Sequence, residues 1–168
     1  AKEALLNGKH VFVEKPLALK ISECKELIDI AEQRAKILMV GHTFIYNDAV
    51  NMLKDYIDKG ELGEIFYLYS QRLSLGRIRQ DVNAMWNFAP HDVSIVLYFL
   101  DEDPRRVSAK GLTYIQKGIE DVVFMNLDFP SGVSAHIHIS WLDPQKIRRM
   151  TVVGSQKMII YDDVSTDA

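Results

Sequence analysis

Two short runs of β-type residues near the front of the chain, Val11-Phe12-Val13 and Ile37-Leu38-Met39-Val40-Gly41, limit its architecture more than any other feature. Each is apolar without alternation, the pattern of a strand buried on both faces of a parallel sheet. Between them, residues 22–35 read as an amphipathic helix, with Ser22 as N-cap and Leu27, Ile28, Ile30 and Ala31 as the apolar stripe. Residues 1–8 read as the end of an earlier helix, stopped at Asn7-Gly8. Helix, strand, helix, strand is the βαβ rhythm of a parallel α/β sheet, entered in its second half. The chain starts inside a helix pattern without an initiator Met, as a fragment of a longer protein is expected to.

A helix over residues 48–59, capped near Asn47 and stopped by Gly60, ends that rhythm. Residues 65–73 form an extended run. Strands over 122–129 and 134–141 are joined by Pro130-Ser131-Gly132, and Thr151-Val152-Val153 and 158–161 flank a second hairpin signal, Gly154-Ser155-Gln156-Lys157. One helix, over residues 90–100, interrupts these strands, with Pro90 in its first turn. Along 134–141, Ala135, Ile137, Ile139 and Trp141 share one face, and Ser134, His136, His138 and Ser140 share the other. The expected fold class is α/β (α+β). Residues 1–44 form the tail of a parallel sheet, and residues 45–168 a mostly antiparallel sheet domain with helices on one face, truncated at its end.

Composition narrows the classes of function. Twenty basic and 23 acidic side chains give a net charge of -3, with no broad basic field for nucleic acid. Apolar residues make up 48% of 168, enough for a packed core without disulfides or metals. The single cysteine, Cys24, makes neither an internal disulfide nor a thiolate zinc site, and a reducing, cytoplasmic setting fits it. No apolar run approaches the roughly 20 residues of a membrane-spanning helix, so no membrane partner is expected.

Several residues have the chemistry of a site. Glu14-Lys15-Pro16 follows a predicted parallel strand, at the edge where open α/β sheets bind ligands. An ammonium held there by a proline turn can stabilise an oxygen that gains negative charge; a solvated turn lysine is the plainer reading. His91-Asp92 follows Asn87-Phe88-Ala89-Pro90 at the expected start of a helix, where the dipole favours neutral imidazole, the form a general base needs. A capping or packing histidine is the alternative, and Asn87 stands where it can orient the ring or a substrate. Arg72, Arg77 and Arg79 surround Leu73-Ser74-Leu75-Gly76, either to bind phosphate through the guanidinium fork or as a solvated loop. His136 and His138 have no accompanying carboxylate or cysteine, so they read as a polar sheet face and no metal site is expected. His10 and His42 are lone histidines, and His42 follows a strand end where it can line a cleft.

Together these segments carry a resemblance. Gly8-Lys9-His10-Val11-Phe12-Val13-Glu14-Lys15-Pro16-Leu17-Ala18 is similar to the signature of the glucose–fructose oxidoreductase, inositol dehydrogenase and rhizopine catabolism family (Gfo/Idh/MocA). Val40-Gly41-His42-Thr43-Phe44-Ile45-Tyr46-Asn47 resembles its next strand and the crossing into its second domain. Trp86-Asn87-Phe88-Ala89-Pro90-His91-Asp92-Val93-Ser94-Ile95 resembles its catalytic helix, in the same order and spacing. Within the family, Leu75-Gly76-Arg77 with Ala89-Pro90-His91-Asp92 most resembles the branch that oxidises C3 of UDP-N-acetyl sugars.

The resemblance implies a Rossmann-type front domain, an NAD (or NADP) cofactor, a sugar or nucleotide-sugar substrate, and a homo-oligomer formed through the open sheet face. Lys15 would hydrogen-bond the reacting oxygen and help place the nicotinamide, with Glu14 and Pro16 shaping that edge. His91 would take the hydroxyl proton. Tyr46, Asn47, Arg72 and Arg77 would face the substrate. Many members carry aspartate where this chain has Asn87, which as an amide relays no proton by ionising. No G-x-G-x-x-G occurs in the sequence, so the chain by itself is expected to hold a dinucleotide poorly and to be inactive. Two other readings remain: a dehydrogenase of a free polyol or aldose, and a non-catalytic dimerisation or substrate-binding module.

Overall fold

The computed structural model describes residues 1–76 and 78–165. It divides into two units, Ala1–Thr43 and the residues from Phe44 onward.

In the first unit, helix α1 (Lys2–Leu6), strand β1 (Val11–Val13), helix α2 (Ile21–Gln33) and strand β2 (Leu38–Val40) follow one another. The two strands pair in parallel, with Val11 opposite Leu38 and Val13 opposite Val40. A small core of Leu5, Leu27 and Ala31, packed by Val11, Leu17, Ile30 and Leu38, holds the helices to the strands. Gly8 ends the first helical segment with φ +72°, a conformation glycine adopts without strain. Helix α2 starts one residue earlier than expected. Its N-cap is Lys20, which makes no side-chain cap bond, so Ser22 lies inside the helix and caps nothing. His10 has a structural role: its Nδ1 accepts the Ile37 backbone N–H at 2.9 Å.

The second unit is a six-stranded sheet covered on one face by helices. After a 3-10 turn (Thr43–Tyr46) come α3 (Asp48–Asp58), β3 (Ile65–Leu75), α4 (Ala84–Leu100), β4 (Arg106–Leu112), β5 (Val122–Asp128), β6 (Ser134–Ser140), β7 (Leu142–Gly154) and β8 (Met158–Asp162). The strand order is β4-β5-β6-β3-β7-β8. All neighbours are antiparallel except β3 and β6, which pair in parallel from Tyr67–Ser134 to Leu73–Ser140. The expected mostly antiparallel sheet is therefore present, with one parallel seam at its centre. Ala135, Ile137 and Ile139 point into the main core with Phe99, Phe129 and Trp141, as the alternation along β6 predicts.

Three differences from the sequence reading have physical causes. Strand β4 had no expectation, because every position from Arg106 to Gly111 is exposed and gives no apolar signal. Strand β7 begins at Leu142, nine residues before the expected run, through charged and polar positions. Helix α4 starts at Ala84 and not at Pro90: the Asn83 side chain accepts the Trp86 N–H at 3.0 Å, and Ala84 N–H reaches the Glu120 carbonyl at 2.9 Å. Pro90 thus lies inside the helix, where it removes the N–H that would meet the Trp86 carbonyl.

Candidate functional site

In the first unit the chemistry gathers at the carboxyl edge of the two parallel strands. Lys15 and His42 each stand two residues beyond the last strand pair, Val13 and Val40. The Lys15–Pro16 peptide is cis. Gly41 brings backbone close there: its N–H donates to the Val13 carbonyl at 2.8 Å, and a Cβ on it would sit 3.2 Å from the Phe12 ring and 3.6 Å from the Glu14 carboxyl carbon. Glu14 is exposed, and Lys15 and Pro16 are half-buried. Burial, and then the Lys15 ammonium, hold His42 below the usual histidine range, so its ring favours the neutral form.

In the second unit the candidate chemistry sits on α4. His91 lies two turns inside the helix, which corrects the expectation that it starts one. The dipole acts mainly within the first turn, so it gives no account of this imidazole's charge. What surrounds His91 is packing. Its ring meets Phe44 at 4.8 Å between centroids, and Phe44 has a cation as another neighbour: the Arg72 guanidinium carbon lies 4.7 Å from the same ring. Arg72 is in turn bonded to the residue after His91. Its Nε donates to Asp92 Oδ2 at 2.7 Å, and the Ser70 hydroxyl donates to Asp92 Oδ1 at 2.7 Å. Asn87 lies one turn before His91 on the same helical face.

The expected substrate contacts fare differently. Tyr46 is 63% exposed, available to a ligand. Asn47 is the N-cap of α3, its Oδ1 accepting the N–H groups of Ala49 and Val50. Arg72 corrects a second expectation: it is 5% exposed, and its guanidinium is turned into the protein toward Asp92, where it serves as internal structure. Arg77 lies outside the described residues. Arg79 forms an exposed pair with Asp81. His136 and His138 lie on the open sheet face beside Phe124, whose ring stacks on His138 at 4.4 Å; among the described residues no three metal-ligating side chains gather. Also among the described residues, no helix is long and apolar enough to cross a membrane.

Ser70, Asp92 and Phe44 were not singled out as site residues. A signal for the first was present: along β3, Leu68, Ser70 and Arg72 occupy alternate positions, and all three are buried. Two polar residues on the buried face of a strand require internal partners, and the matching acid is Asp92.

Comparison with known proteins agrees with this architecture. Residues 50–160 match the model of the GFO/IDH/MocA C-terminal domain, and residues 1–42 match that of an oxidoreductase family with an NAD-binding Rossmann fold. The chain is 28% identical over 144 residues to 2,7-anhydro-N-acetylneuraminate hydratase of Escherichia coli, covering 77% of this chain and 39% of that one. It is 27% identical over 164 residues to UDP-N-acetylglucosamine 3-dehydrogenase of Acidithiobacillus ferrooxidans, covering 96% of this chain and 50% of that one. The chain thus spans half or less of the length of these curated relatives. The fold is that of an inositol dehydrogenase homolog from Azotobacter vinelandii, solved with NADH and myo-inositol, at a TM-score of 0.88 and 19% identity over 96% of this chain and 46% of that one. With its C-terminal-domain match covering well over half of its residues, the chain belongs to the Gfo/Idh/MocA oxidoreductase family.

Proposed function

We propose that this chain carries the acid–base and substrate-facing residues of an NAD(P)-dependent dehydrogenase that oxidises a sugar hydroxyl, with C3 of a UDP-N-acetyl sugar as the first candidate. The observation that carries the reading is the His91 turn of α4, an imidazole packed on Phe44 and followed directly by a carboxylate locked in a buried ion pair. A general base requires this kind of fixed placement. His91 takes the proton of the reacting hydroxyl. Lys15, at the carboxyl edge of β1, is suited to hydrogen-bond an oxygen that becomes a carbonyl. Asn87 orients the imidazole or the substrate, and Tyr46 offers an exposed aromatic surface to the sugar.

The strand edge suits the nicotinamide end of the cofactor. Gly41 keeps side-chain bulk off the edge, and Glu14, Lys15 and Pro16 frame it. Bound NAD supplies the hydride acceptor. The sequence has no G-x-G-x-x-G, so no residue here is assigned to the pyrophosphate.

Two relatives with N-acetyl sugars in their names support the substrate class. One observation favours a second reading, a free polyol or aldose: Arg72 is committed to Asp92, which leaves a phosphate-bearing substrate without that expected partner. The open face of the six-stranded sheet, where Tyr67, Met158 and Ile160 are exposed, is the surface through which we propose that copies pair.

The test is NADH formation by the full-length gene product supplied with NAD and either UDP-N-acetylglucosamine or myo-inositol, beside Lys15→Ala and His91→Ala. Turnover of the first substrate, lowered about 10²–10⁴-fold by His91→Ala and lost in Lys15→Ala, supports the reading. Turnover of myo-inositol alone moves the substrate to the free polyols. Dinucleotide binding without turnover of either compound removes both substrates, and absence of binding and turnover favours a non-catalytic module.

A further inference from the structure

We propose that His42 is a ligand-contacting residue of the strand-edge site, its shielded Nδ1 meeting a hydroxyl or carboxamide of the molecule bound there. The inference rests on the reading of that edge as the nicotinamide and sugar-alcohol side of a dehydrogenase.

Position is the first argument. His42 and Lys15 occupy equivalent places on adjacent parallel strands, each two residues past the last register pair. That edge is where open parallel sheets receive ligands. Gly41 lies between β2 and His42 with no side chain, and its N–H is tied to the Val13 carbonyl at 2.8 Å, while the His42 N–H is tied to the Val40 carbonyl at 2.8 Å. The backbone that carries the imidazole is therefore fixed on both sides.

His42 also has an incomplete hydrogen-bond inventory. Nδ1 of His42 is shielded from solvent and has no hydrogen-bond partner among the described residues. Shielded polar atoms in folded proteins nearly always have a partner, and each exception calls for an explanation, among them a catalytic role or a bound molecule; His42 is an exception that stands at the ligand-receiving edge of the sheet. The same chain shows the ordinary arrangement at His10, whose Nδ1 accepts the Ile37 N–H. A neutral imidazole has one donor nitrogen and one acceptor nitrogen. A hydroxyl or a carboxamide both donates and accepts, so either tautomer is served.

Lys15 is a charged group that acts on His42 at this edge, and the Glu14 carboxyl lies near Gly41. Burial and the Lys15 ammonium both act against protonation of the ring. An imidazole kept neutral beside a lysine adds no second positive charge to the edge. The hydrogen bond from His42 then orients a neutral ligand group without competing for the oxyanion.

Two neutral groups of the reaction have this chemistry, the carboxamide of nicotinamide and a hydroxyl of the sugar, and one experiment separates them. Imidazole ¹⁵N shifts of His42 are recorded in the labelled full-length gene product, assigned by loss of the signal in His42→Asn, while nicotinamide mononucleotide or UDP-N-acetylglucosamine is added. A shift of Nδ1 that saturates with the mononucleotide identifies the carboxamide; a shift that saturates with the nucleotide sugar identifies the hydroxyl. His42→Phe is expected to weaken the effective probe about three- to tenfold, the loss of one hydrogen bond. His42→Asn, whose side-chain amide stands close to the place of Nδ1, is expected to recover part of that loss. Backbone amide shifts report that each variant keeps its fold. A probe that saturates other signals at the edge, leaves both His42 nitrogens unmoved and binds His42→Phe equally well overturns this role and leaves the dehydrogenase reading standing. If neither probe moves any signal, both fall together.

Discussion

Arg72 on β3 and Asp92 on α4 form an ion pair at 2.7 Å with side chains only 6% and 4% exposed, and Asp92 is the residue next to His91. The pair joins the central strand of the sheet to the helix that carries the candidate base. Ser70 completes the carboxylate, and the Phe44 ring touches both the guanidinium and the imidazole. Removing one partner of a buried pair leaves an uncompensated charge, which costs about 3–5 kcal/mol. Asp92→Asn and Arg72→Met are each expected to lower the unfolding free energy on that scale. The combined Arg72→Met/Asp92→Leu replacement is expected to cost much less than the sum, because no charge is left stranded. Urea unfolding of the three variants checks this; additive losses refute the coupling.

The cap of α3 separates structure from recognition at one residue. Asn47 was expected to face substrate, and its Oδ1 holds two backbone N–H groups. Asn47→Ala is expected to destabilise by about 1 kcal/mol, and Asn47→Asp, which keeps the acceptor, by far less. Chemical denaturation reads both. Equal stability of all three proteins refutes the capping role.

How far the sequence reveals this molecule depends on what each residue exchanges with water. Val11–Val13 and Leu38–Val40 are continuous apolar runs, and β6 alternates cleanly, so the strands that build the two sheets are legible. Exposed β4 leaves no such trace. The start of α4 is hidden because Pro90 and His91 look like a helix beginning, whereas Asn83, seven residues earlier, holds the true cap. Lys15, His91 and Asn87 are singled out by motif order, and the structure puts Lys15 at a strand edge and the other two on one face of α4. Arg72 is visible as a residue but not as a partner: an arginine beside a glycine-bearing loop resembles a phosphate ligand until Asp92 is seen against it, twenty residues away in sequence.

Glycine at 154 marks a close approach with a measurable consequence. A Cβ there would lie 2.2 Å from the Leu62 carbonyl oxygen and 2.9 Å from the Leu62 Cβ, both parts of a segment that cannot swing away as a side-chain tip can. Gly154→Ala is expected to cost about 1–3 kcal/mol, the scale of overpacking. Gly118→Ala meets no atom within 4 Å, although its φ of +80° adds backbone strain. Thermal unfolding of both compares crowding plus contact with backbone strain alone, and a smaller loss at Gly154 than at Gly118 refutes the crowding.

Acid sensitivity follows from histidines held neutral. His138 is lowered from its ordinary value by burial first and then by His136, against a smaller opposing effect of Asp143. His42 is lowered by burial and then by Lys15. A group with a depressed folded pKa binds fewer protons folded than unfolded as the pH falls through about 6.5. Stability is therefore full above that value and declines below it, before the carboxylates begin to titrate. Asp128 and Asp162, also lowered, by hydrogen bonds to Ser134 and Arg149 first, lose their contributions only at more acid pH. The expected result is a fall in the urea midpoint between neutral pH and about pH 5.5, in the window set by ordinary histidine. His138→Gln, which cannot protonate, is expected to flatten that fall. An unchanged slope in the variant assigns the acid sensitivity elsewhere.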